Sequence, residues 1–221
     1  MTSIDRINEI RAKIPENVKI VAVSKTKPVA AIELLYKETG QRIFGENRVQ
    51  ELDLKHSILP ADIKWNFIGH LQTNKVGHIA SFISFIQSVD SFRLLREINK
   101  EALKNNRIIP CLLQFHIAKE EAKYGFTYDE AFQMLDDNLF HELSNISIQG
   151  VMGMATLTND KHQIRTEFKT LFNYYELIKF GYFAQQPDFC EVSMGMSNDY
   201  QLAIEEGSTI VRIGSGIFGE R

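Results

Sequence analysis

Val18-Lys19-Ile20-Val21-Ala22-Val23-Ser24-Lys25-Thr26-Lys27-Pro28 is an apolar, β-branched run that ends in a lysine and is stopped by a proline. β-Branched side chains suit a pleated, half-buried surface, so the run predicts a strand that delivers an amine to its own carboxyl end. Strand alternation puts Val21, Val23 and Lys25 on one face and Ile20, Ala22 and Ser24 on the other. Lys25 therefore continues a face otherwise made of valines, where an ammonium needs a partner or a task. The alternative is a side chain that swings out to water once the strand ends.

Outward from this stretch, strand-like runs recur at Val18 to Ser24, Arg42 to Asn47, Lys64 to His70, Phe85 to Asp90, Ile109 to Ile117, Ile146 to Ala155, Phe189 to Met196 and Thr209 to Phe218. Helical patterns fill the intervals: Val29 to Thr39 before Gly40, Glu46 to Leu59 before Pro60, Thr73 to Phe82, Ser91 to Asn105, Tyr128 to Leu143, Gln163 to Phe180 before Gly181, and Asn198 to Glu206 before Gly207. Short buried strands alternating with helices call for a parallel sheet covered on its outer face. Eight such units in 221 residues fit an α/β fold, a (β/α)8 TIM barrel, with a doubly wound open sheet as the competitor. No linker-like stretch divides the chain, so residues 1–221 read as one domain. No helix is expected after the eighth strand, and the extra N-terminal helix, Ser3 to Ile14, is expected to cover the closure.

A net charge of -3 removes the electrostatic reason to expect nucleic acid or an anionic membrane as partner, leaving a small molecule. The start of the chain is mixed and charged, unlike a signal peptide, and no apolar run nears the ~18 residues of a membrane span. Cys111 and Cys190 each lie in an apolar run, which suits two reduced core thiols and a cytoplasmic location.

In barrels of this kind the chemistry sits at the carboxyl ends of the strands. Those ends read Phe44-Gly45-Glu46-Asn47, Phe67-Ile68-Gly69-His70, Ser193-Met194-Gly195-Met196-Ser197 and Arg212-Ile213-Gly214-Ser215-Gly216. The last two supply small, amide-rich turns where such barrels commonly hold a phosphate, with Ser197 or Asn198 expected to cap the helix that follows. Arg212 interrupts an apolar strand and is expected to point into the barrel mouth. There it can donate to a ring nitrogen without losing its proton, or form a salt bridge with Glu46 or Asp90. A nucleophilic Lys25 must spend time neutral, and Lys27 and Arg212 are the neighbouring cations available to favour that. An aldehyde-bearing phosphorylated pyridine, held as an imine on Lys25, accounts for the set.

Five segments carry a resemblance: Val21 to Pro28, Gln41 to Asn47, Trp65 to Lys75, Ser193 to Asp199 and Val211 to Gly219. In this order and spacing they resemble the family of pyridoxal phosphate homeostasis proteins. The resemblance implies a barrel similar to the N-terminal domain of alanine racemase, carrying pyridoxal 5'-phosphate (PLP) as a Schiff base. It implies Lys25 as the cofactor lysine, Arg212 facing the pyridine nitrogen, Asn47 near the ring, and Ser197, Gly214 and Ser215 at the phosphate. It further implies a monomer that balances the vitamin B6 pool without turnover, with PLP-dependent apoenzymes as candidate recipients. The chain departs from the family pattern at His116, where an asparagine is common; a rim histidine is an acid/base or, more blandly, a packed and hydrogen-bonded residue. Two enzyme readings stand beside the carrier. One is an amino-acid racemase, which would need proton donors on both faces of its substrate. The other is a Schiff-base aldolase, for which no rim acid/base pair is evident in the sequence.

Overall fold

The computed structural model describes residues 1–119 and 124–220. Eight parallel strands close into a barrel in the order β1-β2-β3-β4-β5-β6-β7-β8. They are β1 Lys19–Val23, β2 Ile43–Glu46, β3 Lys64–Phe67, β4 Phe85–Val89, β5 Ile109–Phe115, β6 Ile146–Gly153, β7 Glu191–Ser193 and β8 Ile210–Ile213. Closure is made by β1 on β8, with Val21 level with Arg212 and Ala22 with Ile213.

The two faces of each strand have different work. Ile20, Ala22, Phe44, Trp65, Ile86, Leu113, Val151 and Val211 face outward into the main core, which the helices α2 Val29–Thr39, α3 Val49–Ile58, α5 Phe92–Lys104 and α8 Lys161–Tyr182 cover together with shorter ones. The inward face begins apolar, with Val21, Leu112, Met152 and Ile210 in a small cluster joined by Ile43 and Phe85. Two residues further along, the same face turns polar on three strands: Phe85 gives way to Gln87, Leu112 to Gln114 and Ile210 to Arg212, each of these three polar side chains buried. The barrel thus has a dry floor and a polar upper layer toward its carboxyl rim.

Helix α1 Ser3–Arg11 starts on a capping box between Thr2 and Asp5 and buries Ile7 and Ile10. It packs beside α2 and a short helix near the end of the chain, Ser215–Phe218, and Arg11 donates to the Thr39 carbonyl at 2.7 Å and to Gln41 at 2.8 Å. The closure is covered as expected, but not by α1 alone. Where an uninterrupted eighth strand is predicted to Phe218, the chain turns at Gly214 into a short helix, α10 Ser215–Phe218, because the Gly214 carbonyl accepts from the amides of Ile217 and Phe218.

Other differences have local causes. The helix expected over Thr73 to Phe82 is a 3-10 turn, Thr73–Lys75, followed by α4 Val76–Ile79. The one expected from Tyr128 to Leu143 breaks at Asp137 into α6 Tyr128–Asp136 and α7 Asn138–His141, Asp137 being extended and capping the second. Gly181 does not stop α8, which runs on to Tyr182. Cys111 is a buried thiol as expected, whereas Cys190 is exposed, standing before β7 and outside the core. No helix among the described residues is long and apolar enough to cross a membrane.

Candidate functional site at the carboxyl rim

The last ladder bond of β1 runs from the Ser24 amide to the Gly45 carbonyl at 3.0 Å, and the chain reverses at once, the Lys27 amide donating to the Ser24 carbonyl at 3.0 Å. Lys25 and Thr26 are the central residues of this β-turn. The Lys25 side chain is half-buried and makes no hydrogen bond or ion pair with any described residue. Lys27 is not a free cation beside it: its Nζ donates to the Gly219 carbonyl at 3.2 Å.

Asn47 follows β2, and its Oδ1 is buried without a hydrogen-bond partner among the described residues. Gly69, after β3, lies so close that a Cβ on it would fall 2.5 Å from the Asn47 carbonyl oxygen, so only glycine lets the two strand ends touch. That contact places Asn47 and His70 on one cleft of about 180 Å³, lined also by Phe67, Gln72 and Lys75. His70 Nδ1 is 2.8 Å from Asp90 Oδ2, and its ring stacks on Tyr124 with centroids 3.8 Å apart. An imidazole fixed by a carboxylate on one nitrogen and by an aromatic face is oriented for proton transfer through the other nitrogen. The rim therefore holds an acid/base pair that the sequence reading found wanting; its two halves, at the ends of β3 and β4, are visible in the sequence only as separate rim residues. His116 has the blander role, its Nε2 lying 2.7 Å from the Ala118 carbonyl oxygen.

Arg212 does point inward, and its relative exposure is only 4%. Neither expected salt bridge forms, because Asp90 is bound to His70 and Glu46 to Lys55. Arg212 instead donates from Nη1 to Ser193 Oγ at 2.7 Å and from Nη2 to the Gly153 carbonyl at 2.9 Å. Ser193 Oγ donates to Gln87 Oε1 at 2.7 Å, and Gln87 Nε2 donates to Asn66 Oδ1 at 2.7 Å. A single directional chain of neutral dipoles thus crosses the lumen from β8 to β3. Burial pushes the guanidinium down to about 10, partly opposed by Asp199, so it stays protonated at neutral pH.

The two turns after β7 and β8 are joined through one hydroxyl. Ser197 Oγ accepts from the Gly214 amide at 3.3 Å and the Gly216 amide at 3.1 Å. Its own proton has no acceptor among the described residues, nor does that of the exposed Ser215. Gly195, at φ +92°, lets the chain turn from β7, and a Cβ there would meet Ala203 Cβ at 2.6 Å. Neither Ser197 nor Asn198 caps the next helix, α9 Tyr200–Glu205: Asp199 holds the N-cap position, and its carboxylate accepts from the Met196 amide at 2.5 Å. Burial holds the Asp199 carboxyl above its ordinary value, with the Met196 amide and Arg212 opposing.

Size alone would not select this rim. Roomier hollows lie elsewhere, one of about 450 Å³ at the opposite end of β1 and β2 beside Arg11 and Gln41. What distinguishes the rim is the set of groups with valence to spare: a partner-free amine, an orphaned amide oxygen, and two hydroxyl protons beside glycine amides.

Comparison with known proteins supplies the family. Residues 4–221 match the family described as alanine racemase, N-terminal domain. The chain is 38% identical to the pyridoxal phosphate homeostasis protein of Aquifex aeolicus over 204 residues, covering 92% of this chain and 87% of that one. With the protein of the same name from Synechocystis it shares 36% over 218 residues, 97% and 96% of the two chains. PipY of Synechococcus elongatus PCC7942, solved with PLP bound, superposes with a TM-score of 0.89 at 32% identity, covering 99% of this chain and 100% of that one. Alanine racemase of Clostridium difficile 630 shares the fold alone, with a TM-score of 0.77 at 16% identity, covering all of this chain but 56% of its own. On these grounds the chain belongs to the family of pyridoxal phosphate homeostasis proteins.

Proposed function

We propose that this protein holds PLP through a Schiff base from Lys25 and keeps it available within the vitamin B6 pool without turning over a substrate, PLP-dependent apoenzymes being the recipients. The relatives' shared name and the PLP-bound PipY structure support the cofactor. The observation that carries the assignment of residues is the gathering, at one barrel rim, of the partner-free Lys25 amine, the unpaired Asn47 oxygen and the Ser197-bridged glycine turn. When bound, PLP supplies an aldehyde that condenses with a primary amine, a pyridine nitrogen and a phosphate.

Each residue's part follows from its chemistry. Lys25 provides the amine. Ser197, Gly214 and Ser215 offer hydroxyl and amide donors to the anionic group. Asn47 would stand beside the ring. Arg212, anchored by neutral dipoles and unable to give up its proton readily, would donate to a ring nitrogen and leave it unprotonated, which would weaken the ring as an electron sink. That property suits holding better than carbanion chemistry. The test is direct: protein purified in the presence of PLP should be yellow, and borohydride reduction should fix the cofactor mass on the peptide containing Lys25. Lys25→Ala should abolish both. A colourless protein that takes up no PLP, or a label on another lysine, would overturn the assignment.

A second reading, slow racemase-like chemistry on an amino acid, is favoured by one observation, the Asp90–His70 pair on the same rim. Exchange of the α-hydrogen of alanine into deuterated water separates the two: background exchange supports the carrier, and exchange that disappears with Lys25→Ala makes the protein an enzyme.

A further inference from the structure

The turn that presents Lys25 is strained and is held in place by charge. Thr26, its third residue, has φ +64°, a left-handed conformation that β-branched side chains rarely adopt and that such turns usually give to glycine or asparagine. Three groups on Ser24 and Thr26 meet a cluster on α3 and β2. The Thr26 amide donates to Glu51 Oε1 at 2.5 Å. The Ser24 carbonyl accepts from Lys55 Nζ at 2.8 Å, and the Ser24 hydroxyl donates to Glu46 Oε1 at 2.7 Å. Lys55 Nζ also donates to Glu46 Oε1 and to Glu51 Oε1, each at 2.7 Å. An ammonium has three protons, and here all three are used, in a side chain 4% exposed. The peptide groups immediately before and after Lys25 are therefore both stapled to charged side chains, the buried Lys55 and the partly exposed Glu51, while the Lys25 side chain has no partner among the described residues.

We propose that Glu51 and Lys55 are positioning residues for Lys25: they hold the Ser24–Lys27 turn in its strained form so that the amine is preset for condensation with the PLP aldehyde. The inference rests on the reading of Lys25 given above. Glu51 carries the strain-holding contact, and Lys55 orients Glu51 while fixing the carbonyl on the other side of the turn. Packing alone would ask for no such arrangement, since an apolar residue at position 55 would fill the space between α3 and β1 without touching either peptide group. Preorganisation of a reacting group by a locked supporting shell is the physical advantage.

The experiment pairs Glu51→Ala with Thr26→Gly. Glu51 is partly exposed and Lys55 keeps Glu46, so Glu51→Ala should fold. With the strain no longer held, the PLP dissociation constant, read from the imine absorbance, should rise about tenfold, and amide exchange in the 24–27 segment of the PLP-free protein should quicken by a similar factor. Glycine adopts the left-handed conformation without penalty, so Thr26→Gly in the Glu51→Ala background should restore PLP binding to within about threefold of the unmutated protein. A merely structural cluster would lower the melting temperature of Glu51→Ala and leave PLP binding within about twofold, which would overturn the inference. Failure of Thr26→Gly to restore binding would overturn it as well. Failure of the unmutated protein to be labelled at Lys25 would strike the functional reading instead, so the two failures are distinguishable.

Discussion

Among the described residues two cations lie almost dry in this barrel, and they are held in opposite ways. Lys55, 3% exposed, sits between two carboxylates, Glu46 and Glu51, each 2.7 Å away. Arg212, 4% exposed, donates among the described residues to a hydroxyl and a carbonyl and to no carboxylate, with Asp199 acting from further off. Burying a charge costs several kcal/mol unless the surroundings answer it. At Lys55 the answer is local and complete, so its charge is spent inside the protein on fixing the turn at Lys25. At Arg212 the dipole chain through Ser193, Gln87 and Asn66 holds the guanidinium still without neutralising it. A cation kept dry, fixed and un-neutralised is available to an acceptor that arrives from outside.

The largest effect that would break the comparison is on stability at Lys55. Lys55→Met strands two carboxylates and should lower the unfolding free energy by about 3–5 kcal/mol, measured in urea at pH 7. Its pH dependence has a definite sign. Burial already holds the Glu46 carboxyl above its ordinary 4.5, outweighing the hydrogen bonds from Lys55 and Ser24. A carboxyl raised in the folded state takes its proton on the folded side first, so its cost is full above the folded value and fades as the pH falls toward 4.5. Removing Lys55 raises Glu46 further. The gap between Lys55→Met and the unmutated protein should therefore narrow as the pH is lowered from 7 to about 5, and a gap that widens would show that the pair is not the cause.

Arg212→Met should do the reverse. It strands no carboxylate in a direct ion pair, leaving the Gly153 carbonyl and the Ser193 hydroxyl oxygen each short of a donor, so the cost in stability should be about 1–2 kcal/mol. The imine spectrum of the PLP-loaded protein, or its dependence on pH, should change instead. A loss of stability as large as that of Lys55→Met, with an unchanged spectrum, would make Arg212 a structural cation after all.

How much of this was legible in the sequence differs between the same two regions. Arg212 stands alone in an apolar strand, so alternation alone puts it on the inward face, and Lys25 ends another strand on the face of Val21, at the rim. Helix α2 could be bounded at both ends because Pro28 precedes it and Gly40, at φ +67°, ends it. The Lys55 cluster was hidden, since Glu51 and Lys55 stand four apart on a helix and read as an ordinary exposed pair. Glu46 itself was ambiguous: the helical pattern ran back through it, whereas it closes β2 with its side chain buried. The break at Gly214 was equally hidden, because glycine and serine there suit a tight turn as well as the start of α10. The Asp90–His70 pair depends on two strand ends twenty residues apart, and only the closed barrel brings them together. What the pattern of residue types shows is which face a group occupies; which partner it finds there is a property of three dimensions.

The smallest expected effect sharpens the comparison at that pair. His70 is more than a third exposed, and its contact with Asp90 is worth about 0–1 kcal/mol at most. His70→Gln should then leave the melting temperature nearly unchanged and PLP binding within about twofold, because glutamine still reaches a carboxylate and no group assigned to the cofactor is touched. Under the carrier reading, α-hydrogen exchange of alanine is at background before and after the substitution. Exchange present in the unmutated protein and lost in His70→Gln, with PLP still bound, would mean that the oriented imidazole moves protons for a substrate. The rim would then contain a third manner of using charge, neither spent inside the protein like that of Lys55 nor held in reserve like that of Arg212, but gained and lost in each cycle.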